Sequence, residues 1–159
     1  MLRRQMLAIA ALVVASSLPV MASDAAGDIV KAYVAAWNAH DIDKAGSYFA
    51  EDVTYYDASV GVPVEGKADA TSKVVASFIN AVPNCNWDIV GEPIVAGDRV
   101  ALQWKFSGTN TAAWGDGTAA ANKNFTFIGA SVFNVKDGLI KSQSDYYDAL
   151  GFYRQLGWM

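Results

Sequence analysis

A change of hydrophobic period near residue 86 constrains the fold of this 159-residue chain more than any other feature. Before it, apolar residues recur at helical spacing. After it, apolar and polar residues alternate from Val100 to Ser107, which is typical of an antiparallel strand with one buried face. Other strand patterns cover Asn86–Val95, with a bulge expected near Gly91, and then Phe125–Val135 and Leu139–Tyr147. The second half of the chain is therefore predicted to form a sheet of long antiparallel strands.

The first half of the chain contains three helical patterns, which cover Ala25–His40, Ile42–Phe49 and Asp69–Ala81. Asp41 is predicted to cap the second helix, a short strand follows at Val53–Tyr56, and Asp148 is predicted to cap a short C-terminal helix. We predict an α+β fold, a cone of three N-terminal helices packed on a curled antiparallel sheet, with a short C-terminal helix. The open mouth of such a cone would hold a ligand.

The first 22 residues have the pattern of a secretory signal peptide. Arg3 and Arg4 precede an apolar run from Met6 to Val14, and Val20-Met21-Ala22 fits a small-residue cleavage site. The apolar run is shorter than the roughly 20 residues that a membrane-spanning helix needs. We therefore predict cleavage near Ala22, one domain over residues 23–159, and a periplasmic or secreted location.

Charge and residue content limit the partners of this domain. Without its first 22 residues the chain keeps 10 of 12 basic residues and all 16 acidic ones, so its net charge is 10 − 16 = −6. An acidic domain without Lys or Arg clusters is a poor binder of nucleic acid or anionic membrane. Cys85 is the only cysteine, so no intrachain disulfide can form, and we interpret it as a small buried residue. His40 is the only histidine, and we predict no metal and no cofactor.

Three segments carry a resemblance to a known family: Trp37-Asn38-Ala39-His40-Asp41, Phe49-Ala50-Glu51-Asp52-Val53, and the C-terminal stretch from Asp145 to Gly157. Together with the order of predicted elements, they resemble the nuclear-transport-factor-two-like superfamily, and within it the SnoaL-like polyketide cyclase group. The resemblance implies the cone fold over nearly all of the chain after residue 22. It does not define a reaction, because this fold carries isomerases, cyclases, hydrolases, dehydratases and proteins with no reaction.

The ketosteroid isomerase branch of that superfamily implies roles for Tyr33 and Asp57. There, a Tyr on the first helix donates to an oxyanion and an Asp after the first strand moves the proton, and these two residues occupy the matching positions. That branch also uses a second, protonated acid, whose position here is Ala130. Other interpretations stay open, because Tyr33 could be a core residue and Asp57 an ordinary Asx-turn residue.

The cyclase branch implies that Asp145 is the general acid and base. The region of its assisting His holds Asn110 here, which can orient a substrate but cannot take a proton. Asp145 shares a period-two face with Gln143 and Tyr147, and burial of that face among aromatic residues would raise the pKa of Asp145 toward that of a general base. The alternative is a partly solvated acid at the rim of the sheet.

The predicted substrate-binding residues are Asn110, Trp114, Tyr147, Gln143 and Phe127. Trp114 lies in a polar, Gly-containing loop over Thr111–Lys123 and is a candidate lid. Aromatic residues of this kind also serve as ordinary core residues.

Two functions therefore stay open. The first is an exported cyclase, isomerase or lyase acting on a small hydrophobic carbonyl-containing molecule, with Asp145 as base and Asp57 and Tyr33 as partners. The second is a non-catalytic periplasmic binding or dimerisation domain for a hydrophobic ligand, which the residues at Ala130 and Asn110 favour. The open face of the sheet also predicts a homodimer.

Overall fold

The computed structural model describes residues 21–159, so the signal peptide expected over residues 1–22 lies almost entirely outside the described residues. Three helices belong to the first half of the fold: α1 (Met21–Asn38), α2 (Ile42–Ser47) and α3 over residues 67–81. The middle of α3, Ala70–Val75, is wound with wider π-helical turns. A last helix, α4 (Ala149–Leu156), closes the chain.

The two short helices α2 and α4 begin at the predicted aspartate caps. Asp41 accepts a hydrogen bond from the backbone N–H of Lys44 at 2.9 Å, and Asp148 accepts one from Gly151 at 2.9 Å. Each bond satisfies a backbone donor that the first turn of a helix leaves unpaired. α2 ends earlier than predicted, because Phe49 already begins the first strand.

Within residues 21–159, six strands form one sheet in the order β2-β1-β6-β5-β4-β3. They are β1 (Phe49–Asp57), β2 (Val64–Glu65), β3 (Asn86–Ala96), β4 (Arg99–Asn110), β5 (Lys123–Lys136) and β6 (Leu139–Tyr147). The pair β1–β6 is parallel and the other neighbours are antiparallel, so the sheet is mixed instead of antiparallel as predicted. β1 and β6 are distant in sequence, and no hairpin fixes their relative direction.

The predicted irregularity in β3 is confirmed. The register of β3 against β4 shifts between Val90 and Ile94, and Gly91 has a φ of +73°. A left-handed backbone of this kind is accessible to glycine without strain, and the shift bends the edge strand of the sheet.

The core lies between the helices and the inner face of the curled sheet. α1 buries Val30, Tyr33 and Trp37. Along β5, alternate residues from Phe125 to Val135 are buried or half-buried, whereas the residues between them lie on the outer face. This alternation determines which polar residues reach the interior.

Candidate active site

Rows of paired residues on the inner face of the sheet bring the site together. In one row Asp57 of β1 pairs with Asp145 of β6, which pairs in turn with Ser131 of β5. In the adjacent row Tyr55 pairs with Gln143. Residues paired across neighbouring strands point to the same face, so four polar side chains surround the Asp145 carboxylate.

The Asp145 carboxylate is held entirely by neutral donors. The Tyr55 hydroxyl donates to Oδ2 at 2.5 Å and the Ser131 hydroxyl donates to Oδ1 at 2.6 Å. Gln143 Nε2 lies 3.0 Å from both carboxylate oxygens and also donates to the Tyr55 hydroxyl at 2.9 Å. The Trp104 indole N–H donates to Ser131 at 2.7 Å, which directs the Ser131 hydroxyl toward Asp145.

Gly129 allows Trp104 to reach Ser131. Gly129 is the register partner of Trp104, and a Cβ atom added to Gly129 would lie 2.4 Å from the indole ring. Such a contact is far inside van der Waals distance, so any side chain at this position would displace the ring.

Burial changes the acidity of Asp145. The side chain is 7% exposed, and burial raises the pKa of Asp145 to about 6. The donors from Ser131, Tyr55 and Gln143 oppose this rise, and the Asp57 carboxylate adds to it. The resulting carboxyl group can both take and return a proton near neutral pH.

Asp57 is organised by a second, smaller network. The backbone N–H and the hydroxyl of Ser59 donate to Asp57 Oδ1 at 2.7 and 2.6 Å, which is an Asx-turn of the kind considered above. The Tyr147 hydroxyl lies 3.1 and 3.0 Å from the two carboxylate oxygens and donates to them. Burial, with a smaller contribution from Asp57, raises the pKa of Tyr147 far above the usual range, so its phenol stays protonated.

Asp57 and Asp145 both line an inner cavity of about 370 Å³, part of it open to solvent. The other lining residues are aromatic: Trp37, Tyr55, Phe78, Trp87, Trp104, Phe106, Phe127 and Tyr147. The centre of a water-sized group can lie in only about 40 Å³ of this space. The inner cavity therefore suits a small group and not a large ring system.

An outer cleft adjoins the inner cavity. The centre of a water-sized group can lie in about 600 Å³ of the outer cleft. The cleft shares the lining residues Asp57, Phe78 and Tyr147 with the inner cavity. Trp114, predicted as a lid, lines the outer cleft, and its ring lies 5.0 Å from that of Phe78 between centroids. A larger ligand would occupy the cleft and place only one end in the inner cavity.

Tyr33 lies beneath the site and outside both spaces. Its side chain is fully buried in an aromatic cluster with Trp37, Phe49 and Trp87, and it lines neither the inner cavity nor the outer cleft among the described residues. Within the described part of the chain its hydroxyl makes no hydrogen bond of normal geometry, although the Trp37 and Gln143 side chains lie near it. Burial, and then the Asp145 carboxylate, raise the pKa of Tyr33 well above its usual value.

Asn110 is engaged with the backbone. Its amide donates to the carbonyl oxygens of Ala81 and Ala112 at 3.0 and 2.8 Å, and its Oδ1 accepts from Ala121 at 2.6 Å. It is fully buried and lines neither the inner cavity nor the outer cleft of residues 21–159. These contacts give it a role in fixing the loop between β4 and β5, so the prediction that Asn110 binds the substrate does not enter the proposed site.

Sequence reasoning did not find Tyr55, Ser131, Trp37 and Trp87. The resemblance implies that the second, protonated acid lies at Ala130, but Ala130 is exposed on the outer face and its inward-facing neighbour is Ser131. A signal was present, since Tyr55 lies two residues before Asp57 and therefore shares its face of the strand. Gln143 was found, although it supports Asp145 from beneath and lies outside the cavity lining.

Three further features of the described residues concern cysteine reactivity, metal binding and membrane-spanning helices. Burial raises the pKa of Cys85 to about 11, so this thiol is a poor nucleophile. Within residues 21–159 no group of three or more His, Cys, Asp or Glu could hold a metal ion. No helix of that part is long and apolar enough to cross a membrane.

The helices packed on a curled mixed sheet, with a buried acid facing a cavity, define an α+β cone of the nuclear-transport-factor-two-like kind. The chain belongs to the SnoaL-like polyketide cyclase family, which it matches over residues 27–156. The expected family and fold class are therefore confirmed. No match was found among curated proteins.

Solved structures agree with this assignment. A proposed polyketide cyclase from Xanthomonas campestris pv. campestris is 25% identical, with a TM-score of 0.72 over 84% of this chain and 98% of that one. A protein of ketosteroid isomerase-like fold from Catenulispora acidiphila, solved in complex with trimethylamine, is 25% identical, with a TM-score of 0.69 over 82% and 92%. A proposed SnoaL-like polyketide cyclase from Jannaschia is 15% identical, with a TM-score of 0.75 over 86% and 94%, and it shows the fold alone.

Proposed function

We propose that the protein is a small-molecule cyclase, isomerase or lyase in which Asp145 is the general base for an enolisable carbonyl substrate. The observation that carries this proposal is the buried Asp145 carboxylate, which lines a cavity and has a pKa raised to about 6. A base with such a pKa is largely ionised at neutral pH and returns the proton readily. The family, whose members include polyketide cyclases, supports a reaction of this type.

Asp57 and Tyr147 have supporting roles in this proposal. Both line the inner cavity and the outer cleft, so they face any molecule that spans the two spaces. The protonated Tyr147 phenol has one O–H, which in this proposal turns from Asp57 to the oxygen on which negative charge develops when the α-proton leaves, while Ser59 continues to donate to Asp57. Phe127 forms part of the apolar wall.

The proposal is tested by exchange of carbon-bound hydrogen, which needs no knowledge of the natural substrate. Small ketones and diketones, such as cyclohexanone and 1,3-cyclohexanedione, are incubated with the protein in D₂O and followed by NMR. We expect faster deuterium incorporation than in buffer, and loss of this effect in Asp145→Asn. Asp137→Asn, the same change at an exposed turn, is the matched control. Equal exchange by the wild type and Asp145→Asn would remove Asp145 from the reaction.

The second candidate function is binding of a small organic ligand without a reaction. The small inner cavity favours it, and the trimethylamine in the Catenulispora relative supports a small ligand in this chain as well. Native mass spectrometry of the purified protein tests it. A retained ligand, together with no exchange for any ketone, would favour binding over catalysis.

We also propose export and a homodimer. Export rests on the N-terminal sequence alone, and N-terminal sequencing of the protein recovered from its host checks cleavage near Ala22. The homodimer rests on the outer face of the sheet, where Ile128 is 72% exposed and Tyr146 is 50% exposed. Sedimentation equilibrium of the wild type and Ile128→Lys tests it, and a monomeric wild type would contradict it.

A further inference from the structure

The negative charge of the inner cavity has no cationic partner in the described residues. Asp57 is 9% exposed and Asp145 is 7% exposed, and the donors that hold them are neutral hydroxyl, amide and backbone groups. The five ion pairs found within residues 21–159 all involve other acids. No Lys, Arg or His of the described part lines the cavity. Buried charge without a partner is costly, so this cavity favours a ligand that brings a positive charge.

The walls of the cavity suit one kind of cation. Among the described residues, all eight that line the cavity besides the two acids are aromatic, and three of them are the tryptophans Trp37, Trp87 and Trp104. A pocket for a plain hydrocarbon would be expected to use aliphatic side chains too, yet the described lining has none. Aromatic faces attract alkylammonium ions through their quadrupole, tryptophan most strongly, and cages of such residues bind methylated ammonium groups.

The size of the cavity is consistent with such a group. The centre of a water-sized group can move within about 40 Å³ of the cavity. A sphere of that volume has a radius of about 2.1 Å, and adding the water radius of about 1.4 Å gives a free space of about 3.5 Å in radius. A trimethylammonium group is a compact, nearly spherical group of this size. A strongly hydrated metal ion or primary ammonium would instead need to lose its water shell against apolar walls.

We propose that the inner cavity binds a tertiary or quaternary alkylammonium group between Asp57, Asp145 and the aromatic walls, while the rest of the ligand extends past Phe78 and Tyr147 into the outer cleft. This inference rests on the proposed function only in taking the inner cavity as the ligand site. It names the chemical class of the ligand and does not depend on whether Asp145 then removes a proton.

The test compares choline with 3,3-dimethylbutan-1-ol, which has the same shape but no charge. Binding of each to the full chain is measured by tryptophan fluorescence and by isothermal titration calorimetry. We expect choline to bind at least about tenfold more tightly than its neutral isostere, and Asp57→Asn to remove roughly tenfold of the choline affinity. The affinity of the neutral isostere should stay within about twofold in that variant.

The control variant is Asp137→Asn, which removes an acid from an exposed turn and should leave both affinities unchanged. A circular dichroism spectrum confirms that Asp57→Asn is folded, and a second variant, Trp87→Phe, weakens choline binding by removing one of the indoles. Choline affinity should also fall below about pH 6, where Asp145 becomes protonated; the other titratable groups lining the cavity are Asp57, Tyr55 and Tyr147.

Equal affinity for choline and its isostere, or no binding of choline, would overturn the inference. Its failure is distinguishable from failure of the proposed function. If ketone exchange depends on Asp145 but choline binds no better than its neutral isostere, the proposed reaction stands and the ammonium site is rejected. Preference for choline without exchange would retain the ammonium site and reject the reaction.

Discussion

Asp57 and Asp145 are direct register partners in the parallel pair of strands β1 and β6. Neighbouring strands lie about 4.8 Å apart and paired side chains share a face, so two acids face one cavity from adjacent strands. The Asp57 charge adds to the rise in the pKa of Asp145, although burial is the larger cause. The pair therefore combines a base of raised pKa with a second acid that increases its proton affinity.

Asp145 should make the folded protein less stable as the pH rises. Its pKa of about 6 in the folded protein exceeds the value of about 3.9 for an unfolded chain, so the folded state binds the proton more tightly between these pH values. The stabilisation is complete below about pH 4 and is lost as the pH rises through 6. Two pH units correspond to about 3 kcal/mol.

Asp145→Asn isolates this effect. Urea unfolding between pH 4 and 7 should show that the free energy of unfolding of the variant, relative to the wild type, increases by about 2 kcal/mol over the range. Asp137→Asn, at an exposed turn, should show no such trend. Parallel curves for Asp145→Asn and the wild type would mean that the pKa of Asp145 is not raised by folding.

Ser131→Ala should raise the pKa of Asp145 further. The Ser131 hydroxyl stabilises the charged carboxylate at 2.6 Å, and its loss also leaves the Trp104 indole without its acceptor. A hydrogen bond to a charged group contributes about 1.5–3 kcal/mol, so we expect a rise of about one to two units. Carboxyl ¹³C NMR measures it. Ser144→Ala, one residue from Asp145 on the other face of β6, should leave the value unchanged, and an unchanged value in Ser131→Ala would contradict the assigned bond.

Loss of the hydroxyl should slow ketone exchange when it is removed from Tyr55 but not when it is removed from Tyr33. The Tyr33 hydroxyl makes no hydrogen bond of normal geometry in the described residues, so Tyr33→Phe should leave the stability unchanged or raise it by up to about 1 kcal/mol, and ketone exchange should persist. Tyr55→Phe removes the 2.5 Å bond to Asp145 and should raise the pKa of Asp145 and slow exchange at neutral pH. Thermal unfolding and the exchange assay measure both variants. Loss of exchange in Tyr33→Phe with the fold intact would restore Tyr33 as an oxyanion donor.

The sequence was sufficient for the elements of the fold but not for the details of the site. The helix caps at Asp41 and Asp148 and the irregularity at Gly91 depend on local chemistry, which the sequence contains. The parallel pairing that joins Asp57 to Asp145 depends on contacts between strands 88 residues apart, since 145 − 57 = 88, and no local pattern specifies them.

The site also depends on which of two successive residues in each strand faces the interior. The resemblance implies Ala130 as the position of the second acid, whereas the inward face of β5 is occupied by Ser131. An error of one residue exchanges the inner and outer faces of a strand. A site that spans several strands is predicted correctly only if the inward-facing residues of every strand are assigned correctly. Tyr55 could have been predicted from its two-residue spacing to Asp57. The need for glycine at residue 129 could not, because it arises from the Trp104 ring that packs against it from the neighbouring strand.

Asn110 should matter for stability and not for chemistry. Asn110 is fully buried, and Asn110→Ala leaves the Ala112 carbonyl oxygen and the Ala121 N–H without these partners. The Ala81 carbonyl oxygen still accepts from the backbone N–H groups of Thr111 and Ala112. Each unpaired group costs about 1–3 kcal/mol, so we expect a loss of at least about 2 kcal/mol in the free energy of unfolding, measured in urea. Asn86→Ala, at an exposed asparagine, should change it by less than about 0.5 kcal/mol. The exchange rate per folded molecule should be unchanged in Asn110→Ala at a temperature where both proteins are folded. A selective loss of exchange, with full stability, would instead place Asn110 among the groups that orient the substrate.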